Sequence, residues 1–221
     1  MNFLEIAKRV RQECGISGDG PSNVAAQTGM YAKIVAWVQS AHEEVQQLHS
    51  EWNFDWAMAE QPLVAGTEFY DPASDWGLAF KKAAGDGLYV YRNADGPAAK
   101  TWVPLVDWAM LRQVRTPNIT GTPVYAAMSP DERLCFHPIP DGAITAVLEY
   151  YRTPQILSGN TDTPRMPARF HMAIVWRAVM FWCAHDENPA LMQSAMQNYR
   201  ELVNKMTITE LPKLGVTEPL A

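Results

Sequence analysis

The sequence predicts an α+β protein: N- and C-terminal helices packed as a helical bundle, with a small antiparallel β domain between them in the chain. Three observations carry this. Apolar residues recur at helical spacing from Asn2 to about Ser50; from about Trp56 to Tyr151 they fall into short runs separated by Gly, Pro and Asp; after Pro167 the helical period returns and holds to Met206. Helices, then strands, then helices indicate segregated elements rather than an alternating parallel sheet. The expected division is residues 1–55 with 165–206 as the bundle, 56–164 as the β-rich domain and 207–221 as a C-terminal arm. At 221 residues the chain has room for one sizeable core or two small ones, and a hydrophobic share of 48% with eight tryptophans excludes a largely disordered chain.

The first helix spans Asn2 to Cys14, with Phe3, Ala7, Val10 and Cys14 on one side, Asn2 as cap and Gly15 as stop. The following GISGDGPSN lacks a fixed phosphate-cradling pattern and is expected to be a loop. A second helix is expected from Thr28 to about Ser50, with Tyr31, Ile34, Val38, Ala41, Val45 and Leu48 on one stripe and Glu43, Glu44, Gln46 and Gln47 opposite. EWNFDWAM then places three aromatics within five positions, which suits entry into a core.

In the middle, LAFKKAAGDGLYVYRNADGP carries turn signals at Asp86-Gly87 and Asp95-Gly96, and the first is expected to join a tight hairpin. PLVDWAMLRQVRT is a short helical interruption. LCFHPIPDGAITAVLEYYRTP, Leu134 to Pro154, resembles a hairpin around Pro140-Asp141-Gly142. Phe170, Ile174, Ala178, Phe181, Trp182 and His185 mark the next helix. Asn188-Pro189 ends it, and Leu191, Ala195, Tyr199, Leu202 and Met206 mark its antiparallel partner. TITELPKLGVTEPLA has no core periodicity.

Charge and cysteine usage narrow the function. Lys and Arg number 18 against 24 Asp and Glu, a net charge of −6, so the whole molecule repels a phosphate backbone. Cys14, Cys135 and Cys183 are far apart with no CxxC, which argues against a zinc site or a disulfide scaffold and suits buried thiols made in a reducing cytoplasm. Glu5, Lys8 and Arg9 fall where a signal peptide needs apolar residues. The most apolar segment, HMAIVWRAVMFWCAH, is interrupted by Arg177 and falls short of the roughly 20 residues a membrane span needs.

No catalytic set converges. His42 and His49 stand roughly 10 Å apart along a helix, and His171 and His185 roughly 21 Å, too far to share a metal. His185-Asp186-Glu187 point in different directions at a helix end. His137 and Asp141 suggest an oriented base, but the chain has no GxSxG or other nucleophile motif for it to activate. Asp71, Asp75, Asp107, Glu132 and Glu149 supply carboxylates, yet nothing in their spacing selects a glycosidase pair. The surplus of Trp, Tyr and Met instead suits subunit contacts.

The order of features resembles the head-to-tail adaptor (connector) proteins of tailed bacteriophages, of the short-tailed type. FLEIAKRVRQECG followed by AKIVAWVQSAHEEVQQLHSEWNFDW is similar to the family's leading helix and long helix running into aromatics. GTEFYDPASDW is similar to its Gly, Tyr, Pro, Asp run, with Asp71 departing from an apolar position. GTPVYAAMSPDERLCFHPIPDGAITAVLEYYRTP, and the closing MPARFHMAIVWRAVMFWCAHDENPALMQSAMQNYRELVNKM, are the other matching segments. The resemblance implies a structural virion protein at the head-tail junction, with no catalysis and no cofactor. It implies a homo-oligomeric ring of about twelve copies joined head to tail. Its partners would be the portal protein and a downstream tail or nozzle protein, with genomic DNA passing through the channel unread and no membrane involved. Within that reading His137, Pro138, Ile139, Pro140 and Asp141 are expected to form a docking tip. Ile208, Leu211, Leu214 and Val216 are expected to anchor the arm on a neighbour. A β-sandwich ligand-binding or adhesion module, and a hydrolase, are the competing classes.

Overall fold

The structure, a computed structural model, describes residues 1–79 and 87–212. The chain divides into two units, Met1–Asp55 with Pro154–Ala221, and Trp56–Thr153, each with its own apolar core.

The first unit is helical. α1 (Phe3–Glu13) opens with a reciprocal cap: the Asn2 side chain accepts from the Glu5 N–H at 2.9 Å, and the Glu5 carboxylate accepts from the Asn2 N–H at 2.9 Å. It stops at Cys14–Gly15, where Gly15 takes φ +67°. α2 (Gly29–Gln47) buries Ile34, Val38, Ala41 and Val45 of the expected stripe, whereas Leu48 lies just past the helix end and is exposed, and it buries His42 and also Gln46, expected on the opposite face. α4 (His171–His185) is the central helix, packed against α1, α2 and α5 (Pro189–Glu210). Asn188 caps α5 by accepting from the Leu191 N–H at 3.1 Å, with Pro189 in the first turn, where its missing N–H costs nothing.

Two boundaries differ from the sequence expectation. α5 continues through Thr207–Glu210, which local pattern assigned to the tail, because Glu210 is buried and ion-paired to Arg169 at the turn before α4. The segment 154–164, expected with the strands, belongs to the helical unit. Leu157 lies in the helical core, and Gln155 exchanges bonds with Gln46: its N–H donates to Gln46 Oε1 at 2.7 Å, and Gln46 Nε2 donates to its carbonyl at 3.1 Å. Arg165 forms an ion pair with the buried Asp55 at 3.2 Å.

The second unit contains β1 (Trp56–Leu63), β2 (Phe69–Tyr70), β3 (Trp76–Ala79), β4 (Leu88–Arg92), β5 (Thr101–Trp102), β6 (Thr120–Gly121), β7 (Tyr125–Met128), β8 (Leu134–His137), β9 (Ile139–Pro140) and β10 (Ile144–Arg152), with the short helix α3 (Trp108–Val114) after β5. One antiparallel sheet runs β1-β10-β4-β5, with β3 on the end of β10; a second runs β2-β8-β7; β6 and β9 pair in parallel. Leu63, Leu88, Val90, Ile144, Ala146 and Leu148 of the first sheet meet Tyr70, Ala126, Leu134 and Phe136 of the second in one core.

The apparent hairpin of Leu134–Pro154 is therefore not one. β8 pairs with β2 and β7, whereas β10 pairs with β1, β3 and β4, so the Pro-Asp-Gly turn carries the chain from one sheet to the other. Alternation along each strand fixes which side chains point inward, but both strands point at the same core from opposite sides, and that is not a local property. Among the described residues β3 and β4 pair with β10 and not with each other; Asp86 of the expected tight turn lies outside the described residues.

Gly77 permits β3 to close on β10. A Cβ there would stand 2.8 Å from the Tyr151 carbonyl oxygen and 3.0 Å from Arg152 C and Thr153 N, all backbone atoms beside the register shift at Tyr151/Arg152. Gly77→Ala is expected to cost about 2 kcal/mol by overpacking. The check is a denaturant midpoint; a value equal to wild type would show that this approach is looser than described.

Candidate functional site

The corner between the two sheets is built from elements that converge on it. β8 is buried along its whole length, which fixes where the chain leaves the second sheet. Across the corner, Ile139 N–H donates to the Ile119 carbonyl at 2.9 Å, and Gly66 N–H donates to the Pro140 carbonyl at 2.9 Å. Arg92, at the end of β4, donates from one terminal nitrogen to both Asp141 carboxylate oxygens, at 2.8 and 3.0 Å, and to Thr122 Oγ1 at 2.8 Å. Hydrogen bonding to Arg92 holds the Asp141 carboxyl below the usual carboxylate range, against an opposing loss of hydration and with the Arg92 charge adding to the lowering. The turn is thus tied to β4, to the loop before β7 and to the chain after β1.

The five residues expected at this tip are contiguous but not equally presented. Asp141 is exposed, Pro138 and Ile139 are half-buried, and His137 and Pro140 are buried. His137 is only 6% exposed and its Nδ1 has no hydrogen-bond partner among the described residues, while Asp141 is engaged by Arg92. The two do not form an oriented acid-base pair. Of the arm residues, Ile208 is 75% exposed on the last turn of α5 and Leu211 packs against the helical core; Leu214 and Val216 lie outside the described residues. Tip and arm belong to different units.

Carboxylates also gather in a cleft of the second unit. Asp71, Asp131 and Glu132 line a cleft of about 510 Å³ with Trp76, Met128 and Arg133. Asp131 accepts from Ser129 Oγ at 2.5 Å and from Arg133, and these bonds hold its carboxyl below the ordinary range, the opposite of what a general acid needs. Among the described residues no group of three or more His, Cys, Asp or Glu is placed to hold a metal ion, and no helix is long and apolar enough to cross a membrane. Burial pushes the Cys14 and Cys135 thiols up to about 12, where neither is a nucleophile at neutral pH.

Sequence reasoning missed the buried polar layer of the helical unit. His42 is 1% exposed, its Nδ1 lies 3.2 Å from Gln46 Nε2, and its Nε2 has no hydrogen-bond partner within bonding geometry among the described residues. The i, i+4 spacing of His42 and Gln46 beside Ala41 and Val45 was the available signal.

Ion-paired turns and two separately cored units, with polar groups that are engaged by their neighbours, suit a structural protein of the assembly class. The model of the SU10 adaptor protein family matches residues 1–216, and the chain belongs to that family. It is a phage head-to-tail adaptor, a structural virion protein of the head-tail junction from a family that is not an enzyme family, and as an adaptor it binds portal and tail proteins. A search of curated proteins finds no match.

Proposed function

We propose that the chain acts as one of about twelve identical subunits closed head to tail into a ring between portal and tail, with the genome passing through its channel without sequence-specific contact. The observation that supports this best is the division into two units with separate cores, because each unit can then carry its own surface to a different partner. The net charge of −6 suits a channel that DNA traverses without sticking. In this reading the corner at Pro138–Asp141 meets the downstream tail component as a preformed shape, and the arm beyond Leu211, which itself packs on its own helical core, lies with Leu214 and Val216 on a neighbouring copy or the portal. The exposed Ile208 extends that contact.

Native mass measurement with and without portal protein tests the ring. Complexes at about twelve times the 24.7 kDa subunit mass are expected; a chain that stays monomeric in both conditions rejects it. The arm is tested separately by truncation after Leu211, which spares Glu210 and its partner Arg169. The monomer's melting temperature is expected to hold while assembly weakens severalfold. Undiminished assembly of the truncated chain would remove the arm from the proposal.

A further inference from the structure

We infer that neighbouring copies join through the five-stranded sheet, the free edge of β1 on one copy receiving β5 of the next. This rests on the head-to-tail ring proposed above.

β1 is eight residues long and, among the described residues, pairs only with β10. An exposed edge of this length is a template for another strand, and proteins ordinarily guard it with a lysine, a bulge or a proline. β1 has no lysine, its register runs unbroken from Trp56↔Tyr151 to Leu63↔Ile144, and its one proline, Pro62, is next to its end. Trp56 and Met58 are 41% and 54% exposed along it. At the opposite edge, Lys100, Thr101 and Trp102 are exposed, Trp102 at 52%, and among the described residues β5 pairs only with β4.

The two edges match in direction, face and charge. β10 runs antiparallel to β1 and to β4, and β4 runs antiparallel to β5. A second copy placed beside the first by rotation about a ring axis sets its β1 antiparallel to β5, continuing the alternation that holds within the subunit. Residues paired across strands share a face, so the row Glu60, Val147, Tyr89, Trp102 lies on the side away from the sandwich core. In a flush continuation Trp102 stands beside Glu60 of the next copy, and Lys100, two residues earlier on the same face, is its diagonal neighbour. Glu60 is the one charged residue of β1, and the Lys100 ammonium is held 4.9 Å from the Tyr89 ring centre and 5.4 Å from that of Trp102. The contact is heterologous, as closure into a ring requires.

The test is charge reversal, read by native mass and by concentration-dependent assembly of the full chain, alone and with portal protein. Glu60→Lys and Lys100→Glu are surface changes, and thermal melts verify folding. Each single variant is expected to weaken assembly about tenfold, and the double variant to return to within about threefold of wild type. If the singles assemble like wild type, or the double is no better than the singles while wild type forms rings, this contact is wrong and the ring stands. If wild type forms no ring in either condition, the ring reading fails and takes the contact with it.

Discussion

Replacing Ile174 with Asp is expected to destabilise the helical unit by about 4 kcal/mol or more, because an unpaired carboxylate in an apolar core must either lose its hydration or take up a proton. Ile174 has no exposed surface, and it sits on α4, the helix that contacts α1, α2 and α5. Each neighbouring helix therefore loses packing if α4 shifts to let the charge reach water. With folded domains stable by only about 5–15 kcal/mol, much of the protein is expected to be unfolded or proteolysed near physiological temperature. Ile174→Val, which removes one methylene from the same place, is expected to cost only about 1 kcal/mol. Chemical unfolding of the two variants separates them; equal midpoints for Ile174→Asp and wild type would remove Ile174 from the core.

The helices were legible because their signals are local. Asn2 with Glu5, Gly15, and Asn188 with Pro189 mark ends by satisfying or ending backbone hydrogen bonding within a few residues. The stripe Ile34, Val38, Ala41, Val45 needs only the helical period to appear on one face. Where the reading fell short, the deciding interaction is long-range. Glu210 stays helical and buried through Arg169, 41 positions away, and the segment 154–164 joins the helices through Gln155 and Gln46, 109 positions apart. Phe136 and Ile144 alternate as any two strand residues do; that they enter one core from different sheets depends on β1, β2, β4 and β7. The Asp141 turn was legible as a turn, but not its tie to β4, since Arg92 lies 49 residues before it.

His42 is expected to make the helical unit lose stability as the pH falls from about 6.5 towards 4. Burial first, then the nearby charges of Arg165 and His171, lower this imidazole from 6.5 to about 4, against a smaller opposing effect from the Gln155 backbone. The groups around it are Gln46, which bonds its Nδ1, Arg165, which is paired with Asp55, and His171, whose own proton affinity is lowered by burial. The unfolded chain binds a proton on this side chain near pH 6.5, whereas the folded chain resists until about pH 4, so the unfolded state holds more protons throughout that window. Stability is therefore fully present above pH 6.5 and declines by about 3 kcal/mol by pH 4, the equivalent of a shift of about 2.5 pH units. His171 adds to the loss in the same direction. His42→Leu removes the titration while leaving Gln46 Nε2 its bonds to the residue 42 carbonyl and to Gln155. Denaturant unfolding of both proteins at pH 7.5 and pH 4.5 is the measurement. Wild type is expected to lose about 2–3 kcal/mol more than His42→Leu between those values. Parallel losses in the two proteins would mean that His42 takes up its proton as readily in the fold as outside it, and that water reaches the layer between α2 and the segment 154–166.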